Sequence, residues 1–206
     1  MSPAMSVPQG GVFHRDFKAM PYWWEAWQPQ RETEVDPPAA TEVAIIGGGY
    51  GGLNTALELA RGGIECTVFE EQDFGFGAST RNGGQISPGT NLGKGFGSKR
   101  GGDAAKQEQL AQALLHDGSQ SFALLEDVIK REGIQCFFER SGRFSGAYTP
   151  KHYAALQEKL ALYNGAAEAE AEMLPRERQR EEIASDFYYG GMVVKRSGKL
   201  HPALYY

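Results

Sequence analysis

Val43-Ala44-Ile45-Ile46-Gly47-Gly48-Gly49-Tyr50-Gly51-Gly52 is the stretch whose reading decides the fold. Four consecutive apolar residues suit a strand buried on both faces of a parallel sheet. The glycines that follow open a helix predicted over 50–61, with Leu53, Ala56, Leu57 and Ala60 on its apolar side and Gly62-Gly63 as its stop. In this G-x-G-x-x-G frame Gly47 permits the sharp turn from strand to helix. Gly49 lets a pyrophosphate approach the backbone without meeting a Cβ, and Gly52 lets the helix pack closely on the strand. The positive end of the helix would then carry the phosphates.

A dinucleotide site also needs an acidic residue at the end of the next strand, to bind a ribose hydroxyl. Residues 65–69 read as that strand, and Glu70 ends it, 18 positions past Gly52. A chain with 27 glycines among 206 residues contains glycine-rich turns for many reasons. The strand before the glycines, the helix after them and Glu70 at the expected spacing together favour the dinucleotide reading over a structural turn.

After Glu70 comes a second glycine-rich passage, Gly75-Phe76-Gly77-Ala78-Ser79-Thr80-Arg81-Asn82-Gly83-Gly84-Gln85. It is too polar for a strand. Its backbone N–H groups, with Ser79, Arg81 and Asn82, offer a second cradle for a pyrophosphate or a flavin ring, the alternative being a plain surface loop. Ahead of the first strand, Tyr22-Trp23-Trp24-Glu25-Ala26-Trp27 holds all three tryptophans and is followed by a proline-rich link. We read this as an arm that packs on the body of the protein rather than as a recognition patch, because aromatic surface left in water is costly.

Together these residues resemble the FAD-carrying amino-acid and amine oxidoreductases, the group containing D-amino-acid dehydrogenases and glycine and sarcosine oxidases. The resemblance rests on Ile45 to Leu53, on Gly77 to Gln85, on Tyr22-Trp23, and on Gly190-Gly191 followed by Leu200-His201-Pro202. It implies an α/β fold, a Rossmann-like FAD-binding βαβ unit followed by the start of an α+β substrate domain that is cut short. The boundaries it implies are an aromatic arm and linker at 1–40, an FAD-binding portion at 41–140, a partial substrate portion at 141–195 and a return toward the FAD portion at 196–206. The cofactor set it implies is Gly47, Gly49, Gly52 and Glu70 for the adenosine and pyrophosphate, with Ser79, Arg81, Asn82, Gly83 and Gly84 near the pyrophosphate and isoalloxazine.

The reaction implied is oxidation of the C–N bond of a small amine or amino acid, with hydride passing to flavin N5 and the imine hydrolysing. A γ-glutamylated polyamine is one candidate substrate. No catalytic side chain is assigned; His201 is read as a structural residue at the start of a helix. Because family members are roughly twice as long, the reading is of an N-terminal fragment or the product of a truncated gene. Two rivals stay open: a nicotinamide-dependent dehydrogenase, since Glu70 suits NAD equally, and a silent remnant that at most binds nucleotide.

Composition agrees with a soluble globular class, with 41% hydrophobic and 23% charged residues, and no apolar run is long enough to span a bilayer. A net charge of −5 argues against a nucleic-acid partner. The first eleven residues lack a signal-peptide pattern, so the cytoplasm is the expected compartment. Cys66 and Cys136 lack metal-site spacing and read as small buried hydrophobes, and no metal site is expected.

Further along, 89–102 reads as a flexible glycine-rich connection and a long helix begins near Asp103, with Leu110, Leu114, Ser121, Leu125 and Val128 on one stripe and Asp117-Gly118 as a weak point. Strands are expected at 134–138, 143–148, 187–189 and 192–194, and a tight turn at Ser197-Gly198. A helix starting at Thr149-Pro150 should bury Tyr153, Leu156, Leu160 and Tyr163 until Asn164-Gly165 closes it. The alternating alanines and glutamates of 166–172 have strand period in helix-favouring residues and are left unassigned. Residues 175–183 read as a charged helical turn.

Overall fold

The computed structural model describes residues 12, 14, 16–29, 35–89 and 104–206. They divide into two compact units, one running to Gly83 and taking in His201–Tyr206, the other Gly84–Leu200.

In the first unit β1 (Val43–Ile46), α1 (Tyr50–Arg61) and β2 (Cys66–Phe69) form the expected βαβ crossover. The strands pair in parallel from Val43 against Cys66 to Ile46 against Phe69. Gly62 ends α1 by donating to Glu58 O, and Gly63 takes φ +73°, so the double glycine is the stop. One expectation fails. Only Ile45 of β1 is buried and Ile46 is 84% exposed, because β1 and β2 form a two-stranded sheet among the described residues and α1 covers it incompletely. A single 3-10 turn, Tyr22–Glu25, carries the aromatic arm, and the one-turn helix α5 (Pro202–Tyr205) closes the unit.

In the second unit β4 (Arg143–Gly146), β5 (Ala171–Leu174) and β6 (Gly191–Val194) form an antiparallel sheet in the order β4-β6-β5. Every residue of central β6 is buried. Thr149 caps α3 (Pro150–Gln157) by accepting from His152 N–H, with Pro150 at the first helical position. A break at Glu158-Lys159 separates it from α4 (Leu160–Ala166), which runs through Asn164-Gly165 rather than stopping there. Leu156 and Tyr163 reach the core with Tyr153 and Leu160 against it, as their spacing predicts.

The unassigned alanine-glutamate tract runs from the end of α4 into a strand. Ala167, Ala169 and Ala171 are buried while Glu168, Glu170 and Glu172 face water, and β5 begins at Ala171. Glu168 and Glu170 take φ of +47° and +50°, which keeps the stretch before Ala171 out of the ladder.

The long helix α2 (Ala104–Glu132) is continuous through Asp117-Gly118. Its packed stripe is shifted from the expected one. Val128 is buried as expected and Leu114 and Leu125 are half-buried, but Leu110 is 53% exposed and Ser121 is exposed, whereas Leu115, Ser119 and Phe122 are buried. The face turns because Gly118 lies against backbone: a Cβ there would stand 2.7 Å from Gly89 Cα. His116 is exposed.

No strand forms over 134–138, because Phe137 takes φ +52° and breaks the extended run. Glu139 makes only an isolated bridge to Lys199. Tyr148 lies outside β4. Residues 187–189 bend rather than extend, with Gly190 at φ +78° delivering the chain into β6; a Cβ on Gly190 would meet Leu174 O at 2.3 Å. The turn expected at Ser197-Gly198 falls at Lys195-Arg196, and Gly198–Lys199 becomes β7, antiparallel to β3 (Gln85–Ile86). The 175–183 stretch is a 3-10 helix, Arg176–Glu181, with an exposed Arg178–Glu181 ion pair. The glycine-rich connection beyond Gly89 lies outside the described residues. No helix among the described residues is long and apolar enough to cross a membrane.

Candidate cofactor site

The centre of the first unit is the turn between β1 and α1. Gly47 adopts φ +96°, open to glycine and strained for other residues, and its N–H donates to Phe69 O at 2.7 Å. Gly52, one turn into α1, lies against that turn: a Cβ on it would stand 1.9 Å from Gly47 O and 3.3 Å from Ile45 Cγ2. Gly49 is the N-cap of α1 in an extended conformation and has no side chain to satisfy the first N–H groups of the helix.

One of them is met from elsewhere: Ser79 Oγ accepts from Tyr50 N–H at 3.0 Å. In the turn ahead of the cap, Glu70 Oε2 accepts from Gly48 N–H at 2.7 Å. The second Glu70 oxygen accepts from Gln72 N–H at 3.1 Å. The Gly48 N–H, with that of Gln72, holds the Glu70 carboxyl below its ordinary range. Five of the predicted site residues, Gly47, Gly49, Gly52, Glu70 and Ser79, are thus brought to one turn of backbone.

The other four are arranged differently. Arg81 Nε donates to Gly77 O at 3.2 Å, and its guanidinium lies 4.9 Å from the Phe76 ring centroid and 5.9 Å from that of Trp24. Asn82 Nδ2 donates to Ser79 O at 2.8 Å. Gly83 is exposed at the edge of the first unit. Gly84 belongs to the second, where its carbonyl accepts from Leu200 N–H at 2.9 Å.

No sequence motif foretells several contacts of this site. The Tyr206 hydroxyl donates to Gly48 O, and the ring lies 5.6 Å from that of Trp27. The two rings close over Gly75, where a Cβ would meet Trp27 at 2.5 Å and Tyr206 at 3.1 Å. Burial pushes the Tyr206 phenol up, and the Glu70 charge adds to the shift. Tyr50 OH donates to Pro202 O at 2.8 Å, and its ring meets that of Tyr205 at 5.2 Å. His201 is the cap of α5, its Nδ1 accepting from Leu204 N–H at 3.2 Å, in keeping with the structural role expected of it. The only sequence signal for these contacts is the density of aromatic residues at both ends of the unit.

The residues fit a dinucleotide. A helix mouth without a side chain at its cap, a turn only glycine accommodates and a carboxylate at the end of the second strand supply the donors and the acceptor that a pyrophosphate and a ribose require.

Comparison with known proteins agrees. The family described as FAD dependent oxidoreductase matches residues 42–206. Gamma-glutamylputrescine oxidoreductase of Escherichia coli (strain K12) is 33% identical over 166 residues, 78% of this chain and 36% of its own. The probable oxidoreductase OrdL of Haemophilus influenzae is 27% identical over 164 residues, 80% of this chain and 37% of its own. Among solved structures, L-proline dehydrogenase from P. horikoshii has a TM-score of 0.65 at 21% identity, covering 82% of this chain and 40% of that one. Glycine oxidase from Geobacillus kaustophilus has a TM-score of 0.57 at 22% identity, covering 80% and 41%. These two carry the fold. The chain spans 36% to 37% of the length of the first two curated relatives.

Proposed function

This chain belongs to the FAD dependent oxidoreductase family, and from that premise we propose that it supplies the FAD-binding end of an enzyme oxidising the C–N bond of a small amine or amino acid. Residues 41–140 form the FAD-binding portion, 141–195 begin the substrate portion, and 196–206 return toward the first. Glu70 accepts from the adenosine ribose, and the backbone around Gly47, Gly49 and Gly52 faces the pyrophosphate. Ser79, Arg81, Asn82, Gly83 and Gly84 complete the cradle.

The observation that carries this reading is the 2.7 Å contact of Glu70 Oε2 with Gly48 N–H, which sets the acidic acceptor beside the helix mouth. Bound FAD supplies the redox chemistry by accepting hydride from the carbon that bears the amine. The chain's part is to bind and orient: the α1 mouth neutralises phosphate charge and Glu70 fixes the ribose. A γ-glutamylated polyamine is our candidate substrate, on the 33% identity to gamma-glutamylputrescine oxidoreductase. A reducing compartment, the cytoplasm, suits the two free thiols Cys66 and Cys136.

A second reading is a catalytically silent chain that at most binds nucleotide. The test is FAD binding by the purified chain, followed by its absorbance, against Gly49→Val. The extended backbone at Gly49 accepts valine, and its Cβ would meet only Ser79 Oγ, at 3.1 Å, so the Ser79 side chain has to yield by a few tenths of an ångström while the backbone has no clash to relieve. FAD retention should be lost. Undiminished FAD content in the variant refutes the site, and affinity for NAD with none for FAD supports a nicotinamide enzyme instead. FAD binding without oxidation of any amine or amino acid tested supports the silent reading.

A further inference from the structure

We infer that Trp23 and Trp24 of the N-terminal arm are positioning residues of the cofactor site, latching the second glycine-rich loop in the shape that presents Ser79 to the mouth of α1. The inference rests on the FAD-binding reading of that site.

The latch consists of two indole hydrogen bonds that cross from the arm to the loop. Trp24 Nε1 donates to Thr80 Oγ1 at 2.8 Å, and Thr80 Oγ1 donates to Gly75 O at 2.6 Å. The threonine is wholly buried, so its hydroxyl has these partners in place of water. Together the two bonds tie the first residue of the loop to its middle. Trp23 Nε1 donates to Asn82 O at 2.7 Å, and Asn82 Nδ2 donates to Ser79 O at 2.8 Å. Ser79 therefore directly precedes the anchored Thr80 and has its carbonyl held by Asn82, and its own hydroxyl accepts from Tyr50 N–H at 3.0 Å.

Glycines 75 and 77 give this loop many unfolded conformations, and ordering it costs entropy that its own short 3-10 turn, Ala78–Thr80, does not offset. Both indoles are held in turn. Trp23 meets the His201 ring edge-on at 4.8 Å, and Trp24 lies 5.8 Å from Phe76. The Arg81 guanidinium stacks near Phe76 and Trp24, so a cation is retained beside the loop as well. An arm with only a packing role needs apolar contact; two indole N–H groups aimed at a buried hydroxyl and at a backbone carbonyl of one loop fix its geometry.

The experiment measures FAD affinity of the whole chain by flavin fluorescence, for wild type, Trp24→Phe, Thr80→Val, the double variant and Thr80→Ser, with hydrogen exchange of residues 75–82 in the FAD-free proteins. Trp24→Phe keeps the ring and removes the donor. Each of Trp24→Phe and Thr80→Val should weaken FAD binding about tenfold. The double variant should be no weaker than the worse single one, because both remove the same bond. Thr80→Ser, which keeps the hydroxyl, should bind as wild type does, an outcome that general destabilisation would not produce. Exchange of residues 75–82 should quicken in Trp24→Phe and not in Thr80→Ser. Wild type that binds FAD beside variants that bind it equally well overturns the latch alone. Wild type that binds no FAD overturns the cofactor reading and the positioning role with it.

Discussion

Gly52 and Gly47 touch through backbone alone: a Cβ on Gly52 would lie 1.9 Å from the Gly47 carbonyl oxygen, closer than any real contact. The third glycine of the frame is required for the fold whether or not a cofactor is bound, whereas a Cβ on Gly49 would meet only Ser79 Oγ, at 3.1 Å.

Gly52→Ala should destabilise the chain by about 3 kcal/mol, since neither the turn nor the helix can yield without moving β1. Gly51 is the control. It is exposed in the same helical turn, and a Cβ on it would meet nothing within 4 Å, so Gly51→Ala should be neutral or stabilising by up to about 1 kcal/mol. Urea denaturation of both variants checks the difference; equal stabilities would show the Gly52 contact to be soft.

Glu70 sets an acid dependence. Its carboxyl is held low by hydrogen bonds from Gly48 and Gln72, so the folded chain favours the charged form more than the unfolded chain does. The resulting stability is fully present above the ordinary carboxylate pKa and is lost as pH falls through the lower folded value. Denaturation midpoints followed from neutral to acid pH should fall less for Glu70→Gln than for wild type. Parallel curves would mean that the Gly48 contact is not coupled to folding.

Arg196 ties α2 to the chain before β5. It is 9% exposed, and its guanidinium donates to Ser119 Oγ at 2.6 Å, Ser119 O at 3.0 Å, Ala167 O at 3.3 Å and Glu168 Oε2 at 3.1 Å. Arg196→Met leaves buried acceptors without a donor and should cost about 3 kcal/mol, read as a lower denaturation midpoint. A midpoint within error of wild type would place these acceptors in contact with water.

In the chain alone, β1, α1, β2 and the Glu70 position are already legible, because each depends on neighbours in sequence: glycines where the turn demands them, apolar period within the helix, and a carboxylate one residue past the strand. The alternation at 166–172 is likewise a true burial pattern, alanines inward and glutamates outward, although the residue types conceal the strand.

The rest is settled only by the folded molecule. The packed stripe of α2 follows from backbone seated against Gly118, and the lost strand at 134–138 from a left-handed Phe137, which no local propensity announces. The bonds of Trp23 to Asn82 and of Trp24 to Thr80 span 59 and 56 residues. Such contacts leave no period in the chain, since the folded backbone, rather than sequence neighbours, brings donor and acceptor together.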